Sequence, residues 1–414
     1  MICRHQRAVP VLLSATKAVR TLRKTSVLAM SSCPAPASLF QPMEIPPRQL
    51  FGPGPSNMRD VIAESQSKPL LGHLHPEFLK VMRDAREGMQ YIFKTKNAYT
   101  FAVSGTGHAG MECALVNLLE RDDVFLVVEI GIWGKRAADL GTRMGAVVHT
   151  VTAPHGHAVE RSAIEEALAK YKPAVLFVCH GESSTGVRQP LEGLGEACAR
   201  HGTLLLVDTV ASLGGAEFKM DEWDVDCVYS ATQKVLNAPP GLAPISFSEK
   251  AMQKIRNRKV RVPSFYFDAL ELGNYWGCDD QPVRYHHTAP ISSVYALRSA
   301  LAVIAKEGID ESVRRHAENA KFLYEKLKGV GLECFVEQER WRLPCLTTVK
   351  VPDGVDWKGV MEEMMKQGTE IAGGLGPTVG KLWRIGTFGG NSEKAKIEKV
   401  VQLLAKTIKE KSSI

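Results

Sequence analysis

LLLVDTVASLGG, residues 204–215, decides how this chain is read. Four apolar residues run into a carboxylate, and a turn of small residues follows. A short run that is apolar at every position belongs to a strand buried on both faces, as in parallel sheets covered by helices. Asp208 then falls at the strand's C-terminal end, where open parallel sheets gather ligands. Taken alone, Asp208 fits two roles: the N-cap of a following helix, or the partner of a cation in a poorly solvated place.

Similar runs lie on both sides. Thr100–Ser104, Val124–Val128, Ala146–Thr150, Ala174–Cys179, Asp226–Tyr229 and Ala243–Phe247 join Leu204–Val207 as seven expected strands. Helical spacing fills the gaps at Glu77–Phe93, Gly107–Leu119, Lys135–Met144 and Arg161–Tyr171. Strands alternating with helices predict an α/β fold with a mostly parallel seven-stranded sheet covered by helices. After about residue 300 the texture changes. Helices at Leu301–Gly308, Asp310–Gly329 and Ser392–Lys409 surround strands at Thr347–Val351 and Leu382–Ile385. The chain therefore divides into a leader (1–30), an extended Pro-rich arm (31–50), a large domain (51–300) and a smaller C-terminal α/β domain (301–414).

The next informative stretch is SATQKVLNAPPG, 230–241, where Lys234 sits among small and polar neighbours before a Pro-Pro-Gly turn. A surface lysine needs no such setting, whereas a nucleophilic lysine must be held and partly desolvated. It lies one strand beyond Asp208. That pair fits a pyridoxal phosphate enzyme, which needs a lysine for the cofactor's aldehyde and an acid to keep its ring nitrogen protonated. VSGTGHAGME, 103–112, ends one strand and opens a helix, so Thr106, Gly107 and His108 offer backbone N–H groups to a phosphate. It is neither a Walker loop nor a dinucleotide fingerprint, and alone its glycines also fit a tight strand-to-helix turn. In GKLWRIG, 380–386, Arg384 stands among apolar residues and needs an anion, either an internal acid or a substrate carboxylate.

Composition limits the other possibilities. The formal charge is +7, from 52 basic and 45 acidic residues. Residues 1–30 hold Arg4, Arg7, Lys17, Arg20, Arg23 and Lys24 and no acid, which leaves 46 basic against 45 acidic residues in the body. No basic stripe remains to attract nucleic acid. No run approaches the ~20 apolar residues of a membrane span. Nine cysteines, an odd number without C-x-x-C spacing, argue against a disulfide framework and against a zinc site. The segment VLLSATKAVRTLRK is amphipathic, basic and acid-free, the pattern of a mitochondrial transit peptide. Met30 offers a second start. The C-terminus Ser412-Ser413-Ile414 is loosely similar to a peroxisomal signal, lacking its central base. The expectation is a mitochondrial matrix protein, with a shorter product from Met30 directed to peroxisomes.

These motifs together resemble a known family. FGPGPSN (51–57), SGTGHAGMECALVN, GIWGKRAADLG, CHGESSTGVRQPL, LLLVDTVASLGG, SATQKVLNAPPG, NYWGCDDQPVRYHHTAP and GGLGPTVGKLWRIG are similar to the alanine–glyoxylate (serine–pyruvate) aminotransferases, class V enzymes of pyridoxal phosphate fold type I. The resemblance covers about residues 45–410. It implies that Lys234 carries the cofactor and Asp208 faces its ring nitrogen. Trp133 would stack on the ring, Val210 would pack on its other face, and Ser183 would stand beside the ring hydroxyl. Thr106, Gly107, His108 and Gln233 would hold the phosphate. Tyr285 and Thr288 would reach the phosphate in the other subunit of a homodimer, with the arm wrapping that subunit. Arg384 would bind the substrate carboxylate, and Gly52, Pro53 and Gly54 would line the substrate mouth. The implied reaction moves the amino group of L-alanine or L-serine to glyoxylate, giving pyruvate or hydroxypyruvate and glycine. Other class V chemistries remain as alternatives: a phosphonate- or kynurenine-related aminotransferase, or a cysteine desulfurase using Cys345. A non-enzymatic binding protein on the same fold would lack Lys234 or Asp208.

Overall fold

The computed structural model describes residues 35–411. The leader, Met30 and the C-terminal Ser412-Ser413-Ile414 lie outside the described residues. Residues 35–46 belong to one compact unit and residues 47–411 to another. In the first, a 3-10 turn at Ala37–Phe40 interrupts the expected extended arm.

The second unit begins with β1 (Gln49–Leu50), α1 (Asp60–Gln66) and α2 (Pro76–Phe93). Then come β2 (Thr100–Ser104), α3 (Gly107–Leu118), β3 (Val124–Glu129), α4 (Ile132–Arg143), β4 (Val147–Thr152) and α5 (Arg161–Tyr171). The chain continues through β5 (Val175–Cys179), a small hairpin of β6 (Gly181–Glu182) and β7 (Val187–Arg188), α6 (Leu194–Arg200), β8 (Leu204–Asp208), β9 (Cys227–Tyr229) and β10 (Leu242–Phe247). Helices α7 (Glu249–Arg256), α8 (Ala269–Tyr275), α9 (Ile291–Glu307) and α10 (Ile309–Gly329) follow. The last stretch holds β11 (Leu346–Lys350), α11 (Trp357–Lys366), β12 (Thr369–Glu370), β13 (Ala372–Gly373), β14 (Leu382–Gly386) and α12 (Lys394–Lys411).

Seven strands form the main sheet in the order β2-β10-β9-β8-β5-β3-β4. Only β10 is antiparallel to its neighbours. Because β10 runs against both β2 and β9, those two are parallel to each other. The C-terminal ends of β2, β3, β5, β8 and β9 therefore all open on one edge of the sheet. The chain reverses its direction of strand addition at β3, which has β4 on one side and β5 on the other, and such a switch point leaves a crevice. The inner strands β5 and β8 are buried at every position, as their unbroken apolar runs require. The edge strand β4 is only partly covered and carries His149 and two threonines.

A second cluster packs the antiparallel trio β11-β14-β13 against α10, α11 and α12. Ile397, Val400, Val401 and Leu404 give α12 its apolar stripe at helical spacing. On β14, Trp383 and Ile385 point into this cluster, so strand alternation turns Arg384 to the opposite face. Gln49–Leu50 pairs with Thr369–Glu370, and Phe51 joins the same cluster, so the chain just before FGPGPSN is tied to the C-terminal part.

Three boundaries depart from the sequence pattern. Helix α9 starts ten residues before the expected Leu301, because the small and apolar run after Pro290 also packs on α1 and α2. Helix α4 starts at Ile132 instead of Lys135, which places Trp133 in its first turn. No helix follows Asp208 directly, which removes the N-cap role. Helix α4 lies close on β3: a Cβ at Gly134 would sit 2.8 Å from the Glu129 Cα and 2.9 Å from the Val128 oxygen. Gly134→Val should therefore push α4 off the sheet and cost about 1–3 kcal/mol in denaturant unfolding. An unchanged unfolding midpoint would contradict that packing.

Candidate active site

Parallel pairing brings Cys179, Asp208 and Tyr229 into one row across β5, β8 and β9. Residues in register share a sheet face, so the Tyr229 side chain stands beside Asp208. Its hydroxyl donates to Asp208 Oδ2 at 2.6 Å, and the Val210 N–H donates to Oδ1 at 2.7 Å. Burial pushes the Asp208 carboxyl up to about 6, opposed by these two donors and by the charge of Lys234. Asp208 is thus a desolvated carboxylate that still ionises near neutral pH.

Lys234 sits in the turn after β9. Burial and the nearby Arg384 charge bring its amine down to about 8, opposed by Asp208. Its Nζ donates to the Pro53 carbonyl, and a Cβ at Gly54 would lie 2.5 Å from Nζ. The two motifs are joined through the backbone as well. The Ser56 hydroxyl donates to the Lys234 carbonyl at 2.6 Å, and the Ser56 N–H donates to the Gln233 carbonyl at 2.8 Å. Asn237 Nδ2 donates in turn to Ser56 Oγ at 2.8 Å. FGPGPSN therefore lies directly over the lysine.

Arg384 comes in from β14. Its Nε donates to the Gly373 carbonyl at 2.7 Å and its Nη1 to the Ser183 carbonyl at 3.3 Å. It is buried, and no acid forms an ion pair with it among the described residues. Burial lowers its pKa, with Glu182 the only opposing charge. Among the described residues the guanidinium therefore has no internal salt bridge and keeps capacity for an outside carboxylate.

The remaining wall comes from α3 and α4. The Trp133 indole donates to Ser183 Oγ at 2.8 Å and meets the His108 ring edge-on at 5.3 Å. Burial, then the Arg136 charge, lower the His108 pKa, so its neutral Nε2 accepts from Arg136 Nη1 at 3.0 Å. At the start of α3, the N–H groups of Ala109 and Gly110 turn back to the Thr106 carbonyl. Those of Gly107 and His108 have no backbone acceptor among the described residues, as the end of a helix allows. A Cβ at Gly107 would crowd Val210 at 3.2 Å and Ala231 at 3.3 Å.

One cleft collects nine of the expected residues: Thr106, Gly107, His108, Trp133, Ser183, Asp208, Val210, Gln233 and Lys234. Tyr285 and Thr288 lie outside it on the exposed surface, 3.4 Å apart at their oxygens. Sequence reading passed over Tyr229, Glu182 and Met111. A tyrosine inside an apolar strand and an acid between glycine and serine carried no local signal, whereas the strand register explains the first. Cys345 is buried, donates to the Ala211 carbonyl at 2.8 Å and is pushed up to about 12 by burial. Such a thiol is unsuited to the nucleophilic role a desulfurase requires.

The cleft fits pyridoxal phosphate. A desolvated amine and a desolvated carboxylate share it, and the first turn of α3 presents N–H donors for an anion beside Gln233. These features are those of a pyridoxal phosphate site on an α/β fold, and the family of the chain makes it a transaminase. The chain belongs to the class-V aminotransferase family, whose pattern it matches over residues 57–390. It is 46% identical to an alanine–glyoxylate aminotransferase of Callithrix jacchus over 391 residues, covering 94% of each chain. The crystal structure of an alanine–glyoxylate aminotransferase from Nostoc sp. superposes with a TM-score of 0.87 at 43% identity, covering 89% of this chain and 97% of that one. A ureidoglycine–glyoxylate aminotransferase from Bacillus subtilis also gives a TM-score of 0.87, at 33% identity, covering 90% of this chain and 95% of that one.

Removing the tyrosine donor raises the Asp208 pKa further, since that hydrogen bond favours the ionised form. The acid limb of the pH–rate profile should therefore move to higher pH in Tyr229→Phe. An unmoved limb would show that Tyr229 does not tune Asp208.

Proposed function

We propose that this chain transfers the amino group of L-alanine, or L-serine, to glyoxylate, giving pyruvate, or hydroxypyruvate, and glycine. Relatives similar in fold and sequence carry names that include glyoxylate. The observation that carries the reading is Arg384, a buried guanidinium with no ion-paired acid among the described residues, near enough to Lys234 to lower its amine. A planar fork of donors suits the α-carboxylate that alanine, serine and glyoxylate all possess.

Bound pyridoxal phosphate supplies an aldehyde for the substrate amine and a protonated ring that draws electrons from Cα. The protein's own work follows from the site. Asp208 would keep a proton on the ring nitrogen, its carboxylate being buried and held by Tyr229 and Val210. Lys234, its amine lowered to about 8 by burial, would take the Cα proton on Nζ. The start of α3 and Gln233 would hold the phosphate. Trp133 and Val210 would stand against the ring, and Gly52, Pro53 and Gly54 would restrict the room beside Lys234. Gly54 has no side chain where one would strike the lysine.

The same proposal includes a homodimer in which Tyr285 and Thr288 reach the other subunit's cofactor phosphate. Both are exposed here, and Leu70, Leu74, Phe265 and Val283 leave apolar side chains exposed in neighbouring segments. Sedimentation that finds only monomer in the active enzyme would refute it. Residues 1–30 would direct the chain to the mitochondrial matrix, and a product starting at Met30 would reach peroxisomes. Untagged chains expressed from each start test this, and identical destinations overturn it.

The decisive experiment is an absorbance spectrum of the holoenzyme. Its visible band should fade with L-alanine and return with glyoxylate. A band that ignores alanine refutes the donor. Lys234→Ala should abolish turnover. Arg384→Lys should raise KM for both substrates at least tenfold, because a point charge replaces the fork, and equal KM values would remove Arg384 from the carboxylate site.

A further inference from the structure

The start of α4 is capped from a distance. Its N-cap, Gly131, has no side chain, so the orphan N–H groups of the first turn need acceptors from elsewhere. The β6–β7 hairpin supplies them. Ser184 Oγ accepts from the Ile132 N–H at 3.1 Å, and Glu182 Oε2 accepts from the Trp133 N–H at 3.0 Å. Glu182 Oε1 in turn accepts from the Ser184 N–H at 2.9 Å and the Ser184 hydroxyl at 2.6 Å. Between them, Ser183 takes the Trp133 indole N–H. Glu182 and Ser183 thus hold the main chain and the ring of Trp133, and Ser184 holds the residue before it.

We propose that Glu182 is a positioning residue for the cofactor: with Ser184 it caps α4 from the β6–β7 hairpin and fixes the Trp133 ring against the cleft. Glu182 is fully buried, and no lysine or arginine forms an ion pair with it among the described residues. Its charge is answered by three hydrogen-bond donors and by the positive end of a twelve-residue helix. A local Ser or Asp at position 131 would cap the helix as well, at less cost in desolvation. Such a local cap would not tie the helix to the hairpin that holds the indole. The glycine at 131 is required by this arrangement, since a Cβ there would strike Glu182 Cγ and Cδ and lie 2.6 Å from Ser184 Oγ. Burial drives the Glu182 carboxyl up to about 7 and the Ser184 and Trp133 donors pull it back, so the group sits close to losing its charge.

The inference rests on Trp133 facing the cofactor, and the test separates the two. In the apo-protein, Glu182→Gln should speed amide hydrogen exchange in residues 131–136 at least tenfold. In titrations with pyridoxal phosphate, the same variant should raise the dissociation constant at least tenfold and change the visible circular dichroism of the bound cofactor. Ser184→Ala should do the same to a smaller degree and provides the readout if Glu182→Gln does not fold. Because the two share one hydrogen bond, the double variant should lose less than the product of the single losses. Faster exchange with unchanged affinity and dichroism would reduce Glu182 to a helix cap and overturn the proposal. Unchanged exchange would also overturn it. If Trp133→Ala binds cofactor normally, the placement of Trp133 falls and this inference with it. If Trp133→Ala loses affinity while Glu182→Gln does not, only the role of Glu182 falls.

Discussion

Charge kept out of water is the constraint on which this site depends. Asp208, Lys234 and Arg384 are all desolvated, and none has a full ion-pair partner among the described residues. Unanswered burial moves each toward its neutral form: the carboxylate upward, the amine and the guanidinium downward. The shifts bring an acid near 6 and an amine near 8 into one cleft. Such a spread suits the proposed division of labour, one group holding a proton while the other moves one.

The rest of the structure keeps those charges in place. The main sheet fixes Asp208 through its register with Tyr229, so the carboxylate cannot turn without losing a 2.6 Å hydrogen bond. The lysine loop is held by Ser56 and Asn237, which bind FGPGPSN over it. Residues just before that turn pair with β12, and Arg384 arrives on β14 of the same C-terminal part. Movement of that part would therefore shift the guanidinium and the mouth of the cleft together.

The α4 start shows the same economy of position. Trp133 sits in a first turn, and its cap, its indole acceptor and its neighbour's acceptor come from Glu182, Ser183 and Ser184 in order. A flat ring held at both main chain and edge is rigid, and as the proposed wall of the cofactor site its rigidity would matter because small displacements cost orientation.

Much of this was legible in the chain. The seven apolar runs gave the strands to within a residue or two, because a strand buried on both faces has no alternative to an unbroken apolar run. Asp208, Lys234 and the Gly107 turn were legible because each falls where a parallel strand ends. The α4 start left no local mark, because its capping partners Glu182 and Ser184 lie on a distant hairpin. The two roles open to Asp208 were separated only by the absence of a helix after β8 and by the neighbouring strand that carries Tyr229. Nor did Tyr229 announce itself, since a buried tyrosine in a strand looks like core until its neighbour is known. The sequence by itself determined the sheet, the order of the chemical residues and the kind of chemistry, because these follow from periodicity and residue type. Only the tertiary structure decided which groups share protons and which hold Trp133, because register and cross-chain packing set those distances.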